Sequence, residues 1–321
     1  MIKQMKFISI ITIILSITLI NTATAGGITS ADFLNISVSA RHAALGGASW
    51  AISNDIASTY FNPAGLSSIE QPGLNFMHNS WLQDISYEFI AVAIPMKTNS
   101  TIGVSASYLH MGQIDTYNMN DQQYGSIRPY SLTAIASYSR RLSGALYLGL
   151  SGKYIEEKLA DIKASGYALD MGIQYLINTF TFGFVVNNLG PKVKYDEQSY
   201  KLPSSVSVGS SFSPINIPIT MMVGTKVAFT GETSFSAGME YNLGNALNLR
   251  TGLGDLGIDN QSNMVNFGAG LKFMWGRIDY AFNPGQDLGQ THFFSFTINF
   301  GKTREINFDK NPLSNNDKEE L

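Results

Sequence analysis

The chain has 321 residues, 21 Lys and Arg against 24 Asp and Glu, and no cysteine. Charged residues make up 14% of it, below the roughly 25% of ordinary soluble domains, and aromatic residues make up 12%, which argues against a soluble helical protein and against disorder. The missing cysteine excludes disulfides and thiolate chemistry, and a net charge of −3 gives no electrostatic reason to bind nucleic acid.

The first 25 residues have the layout of a secretory signal peptide. Lys3 and Lys6 form a basic start, an apolar run occupies residues 7–20, and Ala23-Thr24-Ala25 offers a small-residue cleavage site. The alternative, a membrane-anchoring helix, needs about 20 apolar residues, and this run is shorter. We therefore expect residues 1–25 to be removed on export and the mature chain to start near Gly26.

Residues 31–70 do not alternate as a strand would. From Ser39 to Ile56 the sequence is rich in alanine and helix-like, and Asn62-Pro63-Ala64-Gly65 predicts a turn that opens a short helix to Ser68. The remaining sequence specifies a large barrel, which encloses more space than its own side chains fill. We predict that residues 26–70 form a plug inside it.

Period-two alternation dominates residues 71–301, and no uncharged apolar run there approaches the 18 residues of a membrane-spanning helix. In residues 145–154, for example, Leu146, Leu148 and Leu150 share one side, and small or polar residues occupy the other. A soluble β-sandwich would carry Lys and Glu on its polar face, where this chain has Gly, Ser and Asn. The predicted spans are 72–80, 84–96, 99–111, 128–141, 145–158, 164–177, 179–190, 202–212, 217–229, 232–243, 246–254, 262–274, 276–283 and 291–301. Fourteen strands near ten residues each predict an all-β transmembrane fold, an antiparallel up-and-down outer-membrane β-barrel.

The connections between these strands alternate in length, as they would in a meander. Short links at 97–98, 142–144, 177–178, 244–245 and 275–276 alternate with polar loops at 112–127, 159–163, 191–201, 255–261 and 284–290. Short periplasmic turns and longer external loops are typical of an outer-membrane barrel. The links near Leu82 and Gly231 are short exceptions on the long side, and residues 213–216 form a link of middle length on the short side. We expect the loops 112–127 and 191–201 to cover the outer mouth.

Nine charged residues are predicted to point into the barrel, because a charge on the lipid face costs roughly 2–4 kcal/mol at the midplane. They are Glu88, Lys153, Asp170, Lys226, Glu240, Arg250, Lys272, Arg277 and Asp279. Five are basic and four acidic, and this near balance indicates ion pairs with each other or with the plug. Structural pairing without a role in transport is the interpretation we favour.

No pattern in the chain indicates catalysis, a cofactor or a metal. Gly252-Leu253-Gly254-Asp255-Leu256-Gly257 matches a dinucleotide motif in spacing, but loop residues follow it, and without a helix N-terminus there is no phosphate site. The four histidines, His42, His78, His110 and His292, lie on separate elements without metal-ligand spacing. No serine is marked for a Ser-His-Asp site, and we expect no enzyme activity.

Three sets of motifs resemble the PorV/PorQ family, a branch of the FadL-like outer-membrane barrels. The first set is Phe33-Leu34, Ser39-Ala40-Arg41, Gly46-Gly47-Ala48, Asn54-Asp55 and Asn62-Pro63-Ala64-Gly65-Leu66; the others are Asn187-Asn188-Leu189-Gly190-Pro191 and Asp279-Tyr280-Ala281-Phe282 with Asn299-Phe300-Gly301. The resemblance covers about residues 30–301 and implies a bacterial outer-membrane protein with an N-terminal hatch. It makes Arg41, Gly46, Gly47, Asn62, Pro63, Ala64 and Gly65 the plug motif, with Asn62-Pro63-Ala64 along the permeation route.

The resemblance leaves three functions open. FadL-like relatives let hydrophobic small molecules cross the outer membrane through a gap in the wall, so the first is a gated conduit for hydrophobic or amphipathic small molecules. PorV- and PorQ-type relatives serve type IX secretion, so the second is the handling of exported proteins with secretion-system partners; this sequence lacks long external loops of that branch. The third is a structural barrel without transport. Outward faces compatible with outer-membrane lipid make a monomer the default.

The barrel is followed by a polar tail. Phe300 closes the last predicted strand, and residues 302–321 carry both signs of charge. We predict a solvated tail; a short partner-binding segment is the alternative.

Overall fold

The computed structural model describes residues 28–80, 85–96, 99–244, 246–254, 264–285 and 290–304. The predicted signal peptide, residues 1–25, and residues 305–321 of the predicted tail lie outside the described residues. Within the described part, no helix has the length and apolar character needed to cross a membrane.

Four short helical segments precede the first strand: 3-10 turns at Asp32–Asn35 and Pro63–Ser68, and α-helices at Ala40–Ala44 and Ser58–Phe61. The turn predicted at residues 62–65 opens the last of them. Asn62 Oδ1 accepts a hydrogen bond from the Ala64 N–H at 3.1 Å, and Pro63 occupies the first position, where a missing N–H costs nothing. After Ala40–Ala44 the backbone turns through Gly46 and Gly47, whose φ values of 65° and 78° favour glycine.

The strands are β1 Gly73–Ser80, β2 Ser86–Pro95, β3 Ser100–His110, β4 Ile114–Tyr117, β5 Gln123–Ile127, β6 Tyr130–Arg141, β7 Leu146–Leu159, β8 Ile162–Ile177, β9 Phe180–Leu189, β10 Val193–Tyr195, β11 Gln198–Tyr200, β12 Ser205–Phe212, β13 Ile219–Ala228, β14 Thr233–Leu243, β15 Leu247–Gly254, β16 Met264–Phe273, β17 Gly276–Asn283 and β18 Thr291–Asn299. Among the described residues, fourteen of them close into one antiparallel barrel, and β4–β5 and β10–β11 form separate hairpins. The predicted fold class is confirmed. The largest error in a strand end is at β12, predicted to start at residue 202 and found at residue 205.

The barrel has two distinct ends, which we call inner and outer. The inner end carries the tight connections such as 178–179 and 274–275, the entry into β1 and the exit from β18. The outer end carries both extra hairpins, one between β3 and β6 and the other between β9 and β12. The connections between β12 and β13 and between β13 and β14 depart from this division in length, as the sequence indicated.

Each strand has one face toward the lumen and one toward the outside. On β8 the buried residues alternate with exposed ones along most of its length. Tyr167, Leu169 and Met171 are 66%, 46% and 47% exposed on the outer face, whereas Asp170 is fully buried on the inner face. An outer surface of large apolar side chains fits a hydrocarbon environment.

The segment from Thr29 to Ile69 passes through the lumen from the outer end to the inner end. Thr29 pairs with Lys201 beside the β10–β11 hairpin, and Ser67 bonds to Ser139 near the inner end of β6. Glycines line the wall where this plug touches it most closely: a Cβ at Gly149 would overlap the Pro63–Ala64 backbone. Glycine is used there because the two backbones leave no room for a side chain.

Candidate functional site: the plug and its contacts with the wall

Six charged side chains, four of them buried and two (Arg41 and Arg277) partly buried, tie the plug to the inner half of the wall. Arg41 of the plug donates from Nε and Nη2 to the two carboxylate oxygens of Glu240 on β14, at 3.0 Å each, and its Nη1 lies 3.4 Å from Oδ2 of Asp55 in the plug. Arg250 on β15 joins Glu240, at 2.6 Å, to Asp279 on β17, at 2.7 Å. Arg277 closes the circle by contacting Asp279 and, at 3.2 Å, Asp55.

These contacts form a closed ring in which basic and acidic groups alternate: Arg41, Glu240, Arg250, Asp279, Arg277 and Asp55. Three positive and three negative charges leave the ring neutral, which is the condition under which buried charges are tolerated. We call it the charge ring. It supports the structural pairing favoured from the sequence for four of these six residues.

The plug members of the charge ring titrate far from their ordinary ranges. Burial raises the pKa of Asp55, but the charges of Arg277 and Arg41 outweigh burial and hold that pKa well below its usual value. Burial lowers the pKa of the neighbouring His42 to about 3. His42 stacks on Phe61 at 3.9 Å between ring centroids, so the neutral imidazole is packed as an aromatic ring.

The outer half of the lumen is apolar instead. Phe33, Leu34 and Tyr60 of the plug pack in one cluster with wall side chains that face inward. The wall members include Tyr87, Phe89, Ile135, Ile155, Ala168 and Phe293. Val193 and Leu202, from the loop between β9 and β12, are 2% and 3% exposed and belong to the same cluster. The charge ring therefore lies closer to the inner end of the barrel than these side chains do.

The wall is interrupted between β8 and β9 at mid-height. Their pairing runs from the inner end to Leu169 and Leu189 with a register shift, beyond which β8 continues to Ile162 without β9. Asn188 has a φ of 57° and donates its N–H to Asp170 Oδ1 at 2.7 Å. Lys153 Nζ lies 2.7 Å from Asp170 Oδ2 and 2.8 Å from Asn188 Oδ1, and these two bonds hold the interruption closed. We call this place the β8–β9 seam.

A groove of about 730 Å³ lies on the outer face of the barrel at this seam. Tyr154, Tyr167 and Leu169 line it, together with Gly152, beside which a Cβ would meet open space. Ile135 and Ala168 belong both to the groove lining and to the apolar cluster inside the barrel. Only the thickness of the wall therefore separates apolar surfaces on its two sides.

The structure brings most of the predicted site residues to the plug–wall interface. Arg41 is in the charge ring, Gly46 lies against Leu253 on β15, and the Asn62 amide donates to the Trp50 carbonyl oxygen at 2.8 Å. Pro63, Ala64 and Gly65 are buried against β7 and β8, and Gly47 lies near Ser236. Lys226 reaches the plug at Asn35 Oδ1, 2.6 Å away, whereas Lys272 is exposed near the inner end of β16.

Glu88, predicted on the inner face, lies on the outer face. Tyr87 and Phe89, its neighbours on β2, are 1% and 3% exposed and fill the lumen against Tyr60. Glu88 is therefore turned outward, where its carboxylate pairs with His78 Nδ1 at 2.7 Å. The error has a physical cause: an apolar plug makes the inner face of β2 as apolar as a lipid-facing one. Glu88 lies two residues from the outer end of β2, where a charge on the lipid-facing side costs little free energy because the interface is near.

Loop 112–127, which was expected to cover the mouth, is a hairpin of exposed side chains. Tyr117 and Tyr124 are 58% and 72% exposed. Loop 191–201 does close on the lumen, through Val193 and Tyr195.

The sequence marks Asp55 only as part of a family motif and assigns no role to Trp50. Asp55 is the single charged residue between residues 43 and 69, and an isolated acid in an alanine-rich segment is a signal that could have paired it with the excess basic residues of the wall. Trp50 packs its side chain on Gly209 of β12 and Gly224 of β13, and its carbonyl group lies near Gly183 of β9. No local pattern marks this contact, because three separate strands build it.

The comparisons with known proteins agree with this architecture. The family model described as type IX secretion system protein PorV matches residues 21–230. No curated protein matches the chain significantly.

Solved structures with the same fold include three transporters or their homologues. The toluene transporter TbuX of Ralstonia pickettii has a TM-score of 0.62 at 13% identity, covering 81% of this chain and 98% of its own. The toluene transporter TodX of Pseudomonas putida has a TM-score of 0.58 at 14% identity, covering 80% of this chain and 95% of its own. A FadL homologue of Pseudomonas aeruginosa has a TM-score of 0.54 at 10% identity, covering 83% of this chain and 99% of its own. Identities this low show a shared fold, a barrel of the FadL type.

Proposed function

The chain belongs to the PorV family, and we propose that it is a gated conduit for hydrophobic or amphipathic small molecules in the bacterial outer membrane. One observation carries the proposal: the apolar plug–wall cluster of the outer half reaches the β8–β9 seam, and an apolar groove lies on the other side. An apolar molecule would meet apolar surface along this route, whereas an ion would have to leave water for it.

The proposed route starts at the outer leaflet or an external groove. The molecule displaces the contacts around Tyr60 and Phe33, the plug rearranges near Asn62–Gly65, and the molecule leaves inward or sideways at the seam. The plug has to move because the charge ring closes the inner half. Every member of that ring has a partner of opposite charge, so none attracts a charged cargo.

The printed descriptions of the structural relatives support an apolar cargo. Two are toluene transporters, and a third, CymD, is a monoaromatic hydrocarbon channel with a TM-score of 0.60 at 12% identity. We extend the class of cargo to this chain and leave its identity open. We also propose a monomer in outer-membrane lipid without catalytic activity. In support of the latter, His42 is packed against Phe61, and His78 and His292 bond to Glu88 and Tyr280.

The second candidate is the handling of exported proteins, which the family description favours. A barrel that holds a protein domain needs a wide outer mouth. Here the loop between β9 and β12 buries Val193 and Leu202 against the plug, which favours a small cargo. A partner that lifts this loop would restore the second candidate.

The test is reconstitution of the refolded protein in planar bilayers and liposomes, with and without residues 31–70. Conductance is compared with uptake of a labelled long-chain fatty acid and of toluene. Low conductance with saturable uptake of either molecule is the expected result for the full chain, and large pores are expected after the deletion. No uptake by the full chain, with large pores only after the deletion, would overturn the conduit and leave protein partners as its function.

A further inference from the structure

Glu157, on the inner face of β7 at the outer end, joins three separate parts of the molecule. One carboxylate oxygen accepts the Ala31 N–H of the plug at 3.1 Å and the Tyr195 hydroxyl of the β10–β11 hairpin. The other accepts the Ser131 hydroxyl of β6 at 3.1 Å. A carboxylate offers about four acceptor positions on two oxygens, so it can satisfy all three donors together.

The hairpin and the start of the plug are also joined to each other directly. Ser30 donates its N–H and its hydroxyl to the Lys201 carbonyl oxygen, at 2.9 and 3.1 Å, and Thr29 pairs with Lys201 as an isolated parallel bridge. Ala31 adopts a φ of 55°, a left-handed conformation that alanine rarely takes. This conformation needs surrounding contacts to hold it, and Glu157 supplies one of them.

We infer that Glu157 is a positioning residue that couples the β10–β11 hairpin to the start of the plug, so that the outer mouth and the plug open as one unit. Where it concerns transport, the inference rests on the proposed function. The coupling itself requires only that the β10–β11 hairpin and the start of the plug can move and that the Glu157 carboxylate binds both. Lifting the hairpin removes the Tyr195 donor, and moving the plug removes the Ala31 donor, so either motion weakens the hold on the other part.

The neighbouring Glu156 supplies a matched control. It lies on the opposite face of the same strand and bonds to Tyr130 at 2.8 Å and to Lys163 at 2.9 Å, away from the plug and the hairpin. Glu156→Gln thus changes the same group at the same height of the wall without touching the coupling.

The experiment measures thiol exposure in the plug. The chain has no cysteine of its own, so Leu34→Cys, at a plug position that is 5% exposed, gives a single label site. Maleimide labelling in proteoliposomes is compared among the parent, Glu157→Gln, Tyr195→Phe and Glu156→Gln. An amide has one acceptor oxygen, so Glu157→Gln leaves at least one donor unpaired, and we expect labelling about tenfold faster, the equivalent of one lost hydrogen bond to a charged group. Tyr195→Phe should act in the same direction and Glu156→Gln should have no effect.

A second measurement separates coupling from a local structural role. Arg41→Met, at the contact between the plug and the inner half of the wall, should speed labelling of Val193→Cys in the hairpin, and this effect should shrink when Glu157→Gln is added. Unchanged heat-modifiability on gels shows that the barrel has folded. Equal labelling of Leu34→Cys in all variants, or an Arg41→Met effect that ignores Glu157, would overturn the coupling. Increased labelling without any uptake of fatty acid or toluene would uphold the coupling and refute the conduit.

Discussion

Removing one member of the charge ring should release the plug. Removing two members of opposite charge should largely restore the seated position of the plug. Arg41→Met opens the ring and leaves one buried negative charge in excess, and Glu240→Met leaves one positive charge in excess. Breaking a buried ion pair from one side costs about 3–5 kcal/mol. The double variant leaves Asp55, Arg277, Asp279 and Arg250 as a balanced chain, which should cost less than either single variant.

A free energy of about 3 kcal/mol corresponds to a shift of roughly 100-fold in the ratio of released to seated plug. The assay is the frequency of large openings in planar bilayers together with the labelling rate of a plug cysteine, because the barrel strands stay paired when the plug leaves. Each single variant should raise both quantities strongly, and the double variant should lie between them and the parent. Additive effects in the double variant would refute the reasoning, because they would show that Arg41 and Glu240 act independently.

Three further predictions concern the plug and the seam. Gly149→Ala should raise conductance because its Cβ would overlap the Pro63–Ala64 backbone, whereas Gly152→Ala, on the other face of the same strand and in open space, should not. Burial lowers the pKa of His42 to about 3. Between pH 6.5 and pH 3, His42 is therefore protonated in the released plug and neutral in the seated plug, so a falling pH favours release. The frequency of large openings in planar bilayers should therefore rise as the pH falls through this range, and His42→Phe should flatten the rise. Asp170→Asn leaves the buried charge of Lys153 without its partner and should lower the free energy of unfolding, measured by thermal unfolding, by about 3–5 kcal/mol. Lys153→Met combined with Asp170→Leu should recover most of this loss.

Most of the barrel could be predicted because each strand meets two different environments. The alternation along β8, where Tyr167, Leu169 and Met171 face outward, follows from the period of an extended backbone and fixes strand and face together. The alternation does not distinguish the two faces of β2, because the part of the plug that β2 faces is itself apolar. There both faces prefer large apolar residues, so the pattern could not say which way Glu88 points.

Less of the candidate site could be predicted from the sequence, because its contacts join residues that are far apart in the chain. Arg41 and Glu240 were both singled out, but nothing in the sequence pairs a plug residue with a strand 199 positions later. The β8–β9 seam rests on a register shift at Asp170 and on the left-handed backbone of Asn188, and neither changes the alternation that a sequence shows. Glu157 differs from Glu156 only in the face of β7 to which it belongs.

The two halves of the lumen imply different modes of plug motion. Apolar contacts around Phe33 and Tyr60 are non-directional, so they weaken gradually and can be replaced by an apolar cargo at little cost. The charge ring gives way less gradually, because the plug and the wall separate there only when Arg41 leaves Glu240 and Asp55 leaves Arg277, and each of these four charges then loses one of its two partners. A cargo in the outer half would therefore loosen the plug there while its inner half stays seated. Full release would require all the ring contacts between plug and wall to part together, with water entering to solvate both sides. A plug held in this way stays seated under small disturbances and moves as a unit when it moves at all.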